Sequence, residues 1–431
     1  MKTKKIASLV SAAVIGAVTL CPTFTANAQF QPSTNTGILL NAEEQQAVDI
    51  FMIGDNTMNT ASFVNDSLNK GASELLSTYY SKTVTNKCLP SVTTSQLKSS
   101  FGNIKNFAAD QTELVNFSKA EIIVLSLGTE DILETIRNVI KKNYPAIYDE
   151  KDIFGSLLRV ANTLSKSQSS ETDFAALIAT LNTELGAQMY DTIENYAYII
   201  SQLKAFNPGA KLVVQTVYNP LLLAKDEIDT LLSGKPKLYS VGYTTIKNLL
   251  AKHIETLNDG IINQVGQRAI VVDSASAFAD GDTGYGFSGL YTNVLDDNHD
   301  YSLNAVGNIV VANEIIRKLG CLDNRDISTT MTAYYSNVYC DIPAKALDAM
   351  CKTLDIVRGD FDGDGVVDAA DASAALAIYS KIQTGSSFYE VATSANLIAL
   401  DIDLNKTVDA SDASTILAHY SNVQSGGKGI L

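Results

Sequence analysis

The sequence predicts an α/β domain, a parallel sheet with helices on both faces, followed by a small all-α unit. Three observations predict it. Four short apolar runs have the profile of buried parallel strands. Long helical patterns alternate with them. Near the C-terminus a 12-residue acidic pattern occurs twice, each copy followed by a matching helical segment.

In chain order, Met1 to Ala28 reads as a secretory signal. Lys2, Lys4 and Lys5 form its basic end, Ile6 to Leu20 its apolar run, and Ala26-Asn27-Ala28 its cleavage site. Residues 29–41 are a polar lead without structural signals. The α/β domain is expected over 42–320. Its strands are Val48 to Ile53, Glu121 to Leu127, Lys211 to Val217 and Ala269 to Val272, with a weaker candidate at Ile104 to Ala108. Its helices include Ile132 to Asn143, Asp173 to Ala205, Ser240 to Gly266, and Asn304 to Leu319, stopped by Gly320. Residues 321–357 form a connector containing a helix, with a decayed repeat unit as the alternative reading. Within it Asp326 to Val338 echoes the later helix DASTILAHYSNV without an acidic loop. The small unit spans 358–423, and 424–431 is a tail.

Composition narrows the function classes. The formal charge is −15, and loss of the three signal lysines makes it −18. That excess opposes nucleic-acid and anionic-membrane partners. No run after the signal reaches the length of a membrane span, so a secreted, extracellular protein is expected. Cys88, Cys321, Cys340 and Cys351 remain after the signal; they lack zinc spacing, and Cys340 with Cys351 reads as a bridge or as two free thiols. The chain has no tryptophan for stacking sugars, though 19 tyrosines could substitute. His253 and His419 lie on helical patterns with no chemical company.

The acidic pattern runs from Asp360 to Asp371, DFDGDGVVDAAD, and again 41 residues later from Asp401 to Asp412, DIDLNKTVDASD. Oxygen side chains fall at loop positions 1, 3, 5, 9 and 12: Asp360, Asp362, Asp364, Asp368 and Asp371, then Asp401, Asp403, Asn405, Asp409 and Asp412. Val366 and Thr407 sit at position 7, where a backbone carbonyl ligates. This is the EF-hand spacing for a hard cation, and it calls for two Ca²⁺ ions. Gly365 suits the sharp turn at position 6; Lys406 replaces it in the second loop, adding strain and positive charge, so the second site is expected to be weaker. Asp at position 12, and tandem loop–helix units over Arg358 to Val423, resemble a type I dockerin. The resemblance implies a cohesin module of a cellulosomal scaffoldin as partner. It places recognition near Ala369-Ala370 and Ala410-Ser411 and along the following helices.

In the larger domain, Gly54-Asp55-Asn56 follows the first strand and Gly128-Thr129-Glu130-Asp131 the central one, while Asp296-Asp297-Asn298-His299 precedes the terminal helix. A loop segment over Asn86 to Leu97 lies between the first two. In that order they resemble the SGNH, or GDSL, hydrolase family, over about Asn41 to Gly320. The resemblance implies a flavodoxin-like sheet and deacylation of esters, including acetylated plant polysaccharides. It also assigns positions: nucleophile at Asn56, oxyanion-hole donors at Ser91 and Glu130, and an orienting acid and base at Asp296 and His299.

The departures from that pattern carry chemical weight. An amide nitrogen at Asn56 cannot serve as the activated nucleophile of acyl transfer. Glu130 puts an acceptor where a donor is needed, unless it is protonated or paired with His299. Asp296 and His299 remain as a dyad. Three functions follow: a cellulosomal component with a non-catalytic domain binding a polysaccharide, sugar ester or protein; an active carbohydrate esterase with unusual residues, such as a relocated hydroxyl at Thr57 or Ser91 or a water activated by Glu130 or His299; or a structural adaptor occupying scaffoldin sites.

Overall fold

The computed structural model describes residues 49–58, 71–101, 117–150, 152–166, 170–220, 233–234, 237–278, 301–320, 335–336, 339–341 and 344–431. The signal, the lead, the strand candidate at 104–108, Asp296, His299 and Cys321 lie outside the described residues.

Five strands form one sheet: β1 (Ile50–Gly54), β2 (Val84–Cys88), β3 (Ile122–Ser126), β4 (Lys211–Gln215) and β5 (Ile270–Val272). All pairings are parallel. The order β2-β1-β3-β4-β5 is the flavodoxin-like one. Four strands coincide with the apolar runs. The fifth, β2, is Val-Thr-Asn-Lys-Cys, an edge strand with one fully buried residue, and it carries too little apolar signal to be read in advance.

Helices follow the strands: α1 (Ala72–Tyr80), α2 (Thr94–Phe101), α3 (Thr129–Asn143), α4 (Ile153–Lys166), α5 (Ser170–Phe206), α6 (Lys237–Val265), α7 (Ser274–Phe278) and α8 (Ala305–Leu319). Alternate residues of each strand face opposite sides, so the sheet feeds two cores. Phe51, Ile53, Ile123, Leu125, Leu212 and Val214 pack with α3 to α6. Ile50, Met52, Ile122, Val124 and Val213 pack on the other face with α1 and α8.

That second core does not stop at α8. It continues through Tyr335 and Tyr339 into α9 (Ala344–Thr353), by Leu347 and Met350. From there it runs into the C-terminal helices α10 (Ala369–Gln383), α11 (Phe388–Val391), α12 (Ser394–Leu400) and α13 (Ala410–Gln424), through Ala372, Ile398, Leu400, Ala413 and Ile416. The connector is thus packed structure where it is described. Cys340 and Cys351 are free thiols, as is Cys88. Among the described residues no helix is long and apolar enough to cross a membrane.

Candidate functional site

Two places bring chemistry-bearing side chains together: the carboxyl ends of β1 to β3, and the loops before α10 and α13.

At the sheet, the strand order reverses between β1 and β3, the switch point where open α/β sheets gather ligands. Gly54 ends β1 with its Cα against the Ser126 carbonyl; an added Cβ would fall 1.9 Å from that oxygen, so only glycine fits. The Asp55 N–H donates to the same carbonyl at 2.9 Å, aiming the Asp55 side chain across the switch point. Its Oδ2 accepts from the Thr129 N–H at 3.1 Å, and its Oδ1 from the Thr57 N–H at 3.0 Å and hydroxyl at 2.6 Å. Asp55 is fully buried. Burial pushes its carboxyl up to about 7 against the pull of the Thr57 bonds, and nearby Glu130 and Asp131 add to the rise.

Asn56 opens a 3-10 turn (Asn56–Met58) directly after this aspartate. The Thr57 hydroxyl also lies 2.6 Å from Ser126 Oγ, and Thr57 is only 5 % exposed. A cavity of about 10 Å³ beside it is one water's worth of room. Thr57 is therefore an interior bonding partner of Asp55, poorly placed to attack an ester.

Glu130 lies in the first turn of α3, 4 % exposed. Its Oε2 accepts from Arg137 at 3.0 Å, two turns along the same helix. The His299 pairing that the sequence allows for Glu130 lies outside the described residues; within them Arg137 is its ion-pair partner. The ion pair places an acceptor carboxylate at the position where the resemblance expects a donor.

Asp131, next in the chain, anchors the third segment. It accepts from the Thr94 N–H and hydroxyl at 3.0 and 2.6 Å, from Gln188 at 3.1 Å and from Thr192 at 3.2 Å. Burial raises its carboxyl while the Thr94 bonds lower it. This holds α2 by its N-terminus three residues after Ser91. Ser91 is exposed and takes φ +62°, the left-handed region that glycine favours. Asn56, Ser91 and Glu130 thus stand at the ends of adjacent strands or on the turns that follow them. Asp131 closes the Gly128-Thr129-Glu130-Asp131 stretch, but its anchoring role, like that of Arg137, carries no signal in the sequence.

At the C-terminal loops, the carboxylates of Asp360, Asp362 and Asp364 each offer an oxygen within 4.8 Å of the others, and so do Asp401, Asp403 and Asp412. The donors are all oxygen, the chemistry a hard cation such as Ca²⁺ selects. Asp368 and Asp409 cap α10 and α13, accepting from the N–H of Ala370 at 2.6 Å and Ser411 at 2.7 Å. Asp371 and Asp412 do double duty. One oxygen accepts the N–H of Asp368 or Asp409; the other accepts that of Phe361 or Ile402, closing each loop onto its helix. Lys406 takes φ +71°, matching Gly365 at +82°, and Leu404 takes +61° where Gly363 has +75°. The strain expected at Lys406 is therefore present, and a second strained residue, Leu404, accompanies it. α12 ends at Leu400, directly before the second loop, so that loop has a helix on each side.

No family model matches the sequence, and no curated protein matches it. Among solved structures, the chain is similar to an extracellular lipase from Streptomyces rimosus, at 13 % identity and TM-score 0.41 over 64 % of this chain and 100 % of that one. It is also similar to a lipase from a goat rumen metagenome, at 10 % identity and TM-score 0.37 over 63 % and 97 % of the two chains. A catalytic mutant of an acetylxylan esterase from Geobacillus stearothermophilus shares 12 % identity and TM-score 0.32 over 64 % and 96 %.

Proposed function

We propose that this chain is a secreted cellulosome component that docks through a calcium-loaded, dockerin-like loop pair onto a cohesin. In this reading its α/β domain is an SGNH-like scaffold with a binding role and no serine-esterase chemistry. The observation that carries the reading is the duplicated convergence of carboxylates, three per loop, in loops whose position-12 aspartates each close on the next helix. Two Ca²⁺ ions would supply +4 to a segment, 359–431, whose ten acids and three lysines leave it at −7. Leu376 and Leu417, at equivalent positions of α10 and α13, are 43 % and 42 % exposed, which suits a twofold-repeated apolar contact with a partner.

For the α/β domain, the support is chemical. Asn56 occupies the nucleophile's place, and Glu130 keeps an ion-paired carboxylate where an oxyanion would need a donor. Loss of one hole donor alone costs about 100- to 1,000-fold. Asp296 and His299 are the remnant acid and base that the motif order implies.

Two measurements test the two halves. The full chain is passed over immobilised cohesins in calcium and then in chelator; retention in calcium alone is expected, and no retention by any cohesin refutes the docking role. Hydrolysis of a chromogenic acetate ester is expected to be negligible for the unaltered chain. Asn56→Ser should recover little and Asn56→Ser with Glu130→Asn more, non-additively, because nucleophile and hole act on one transition state. Ordinary esterase turnover by the unaltered chain, abolished by His299→Ala, would establish the active-esterase alternative.

A further inference from the structure

The two loops differ in what reaches them from outside. In the first, among the described residues, Asp360 at position 1 accepts from its own loop alone, from the N–H groups of Gly363 at 2.7 Å and Gly365 at 2.8 Å. In the second, Asp401 is fully buried and accepts from its own loop the Lys406 N–H at 2.8 Å, the counterpart of Gly365, and the Asn405 N–H at 3.0 Å, one position after the counterpart of Gly363. It also receives the Tyr339 hydroxyl on Oδ2, with the Cys340 thiol 3.7 Å from the same oxygen. Both come from the connector, 62 and 61 residues upstream. The Tyr339 ring is fully buried in the core that joins α8, α9 and the loop pair. Arg358 closes the same side, donating to the carbonyls of Asp401 at 2.7 Å and Ile402 at 3.1 Å.

A group that donates to a ligand's second oxygen fixes which lone pairs face the ion, and such outer partners typically set about 10- to 100-fold in metal affinity. We propose that Tyr339 is a positioning residue for the second cation site, so that calcium uptake by loop 401–412 and the seating of segment 339–354 against the α/β domain are one linked equilibrium. The inference rests on the calcium reading of the loops. The bond gives the loop that carries left-handed Leu404 and Lys406 a donor from outside the loop, which among the described residues Asp360 of the first loop does not receive. Linkage is reciprocal: if the connector raises the loop's affinity, the ion must tighten the connector by the same factor.

The experiment is a calcium titration of the full chain, followed by hydrogen exchange in peptides covering 360–371, 401–412 and 344–354. In the unaltered chain, calcium should protect all three segments, with 344–354 following the midpoint of 401–412. Tyr339→Phe keeps the ring and removes the hydroxyl. It should raise the 401–412 midpoint about tenfold or more, leave the 360–371 midpoint unchanged, and uncouple 344–354 from calcium. Unchanged midpoints in Tyr339→Phe, or calcium protection confined to the loops and their helices in the unaltered chain, would overturn the inference while leaving the calcium reading standing. No protection of either loop at millimolar calcium would overturn both. Should Tyr339→Phe fail to fold, the coupling of 344–354 to 401–412 in the unaltered chain still decides the matter.

Discussion

The loops at 360–371 and 401–412 carry nearly the same ligand types at the same positions, yet they are held in different ways. Both bury the aspartates at positions 1 and 12 and leave positions 3 and 5 exposed. The first places glycine at both left-handed positions, Gly363 and Gly365; the second puts Leu404 and Lys406 there, with Tyr339 on the Asp401 carboxylate and Arg358 on the Asp401 carbonyl. The two are also cross-braced. Asn396, on the helix before the second loop, donates to Phe361 O at 3.1 Å, while Arg358, just before the first, donates to Ile402 O. Gly359 N–H reaches Ala399 O at 2.8 Å. A duplicated motif thus preserves donors while the means of orienting them drift: one copy relies on backbone freedom, the other on neighbours.

The largest test of this comparison is chelation. If the loops hold calcium as proposed, removing it leaves crowded carboxylates unneutralised, and the helical circular dichroism from α10 and α13 should fall. A signal indifferent to calcium and chelator would dissolve the comparison altogether. A control comes from Asp55, a buried carboxylate with no cation role. Its folded value of about 7 lies above the unfolded 3.8, so its contribution is complete below about 3.8 and is lost as pH rises through about 7. The loss is on the order of 4 kcal/mol. Asp55→Asn should flatten the fall in thermal stability between about pH 4 and 7, with calcium held saturating; an unaltered slope would show that Asp55 ionises freely.

Next in size is the contrast of Asp401→Ala with Asp360→Ala. Both lose a ligand, but only the first strands a fully buried Tyr339 hydroxyl. Thermal unfolding in saturating calcium should place Asp401→Ala lower by about 1–3 kcal/mol. Equal losses would mean that Tyr339 adds nothing. Lys406→Gly should relieve about 1 kcal/mol of left-handed strain and remove a cation, tightening the second loop about fivefold or more. Calorimetry that finds no change would locate the weakness elsewhere. The smallest effect is in the α/β domain, where Ser91→Gly, relieving the same strain at φ +62°, should stabilise by about 0.5–1 kcal/mol.

Much of this was legible in the residues. Apolar runs marked four of five strands, because parallel strands buried on both faces leave a continuous signal. β2 escaped because an edge strand needs little apolar content, and α1, α2 and α4 escaped because no motif drew attention to them. Loop donors could be counted from spacing alone. What spacing could not reveal was anything set by distant contact: Arg137 against Glu130, the Asp131 anchor on Thr94, and Tyr339 on Asp401, partners 7, 37 and 62 residues apart.

The continuous core from α8 through Tyr339 and Met350 to Ile416 has a consequence for reach. A module on a flexible tether explores a volume set by linker length, and its effective concentration near a target falls as the tether grows. A module that shares its interior with its own anchor has no such volume. If the loop pair docks, the carboxyl edge of the sheet is carried at one fixed bearing. What it meets is then decided by the angle of attachment, and lengthening nothing in the chain short of breaking that interior would change its aim.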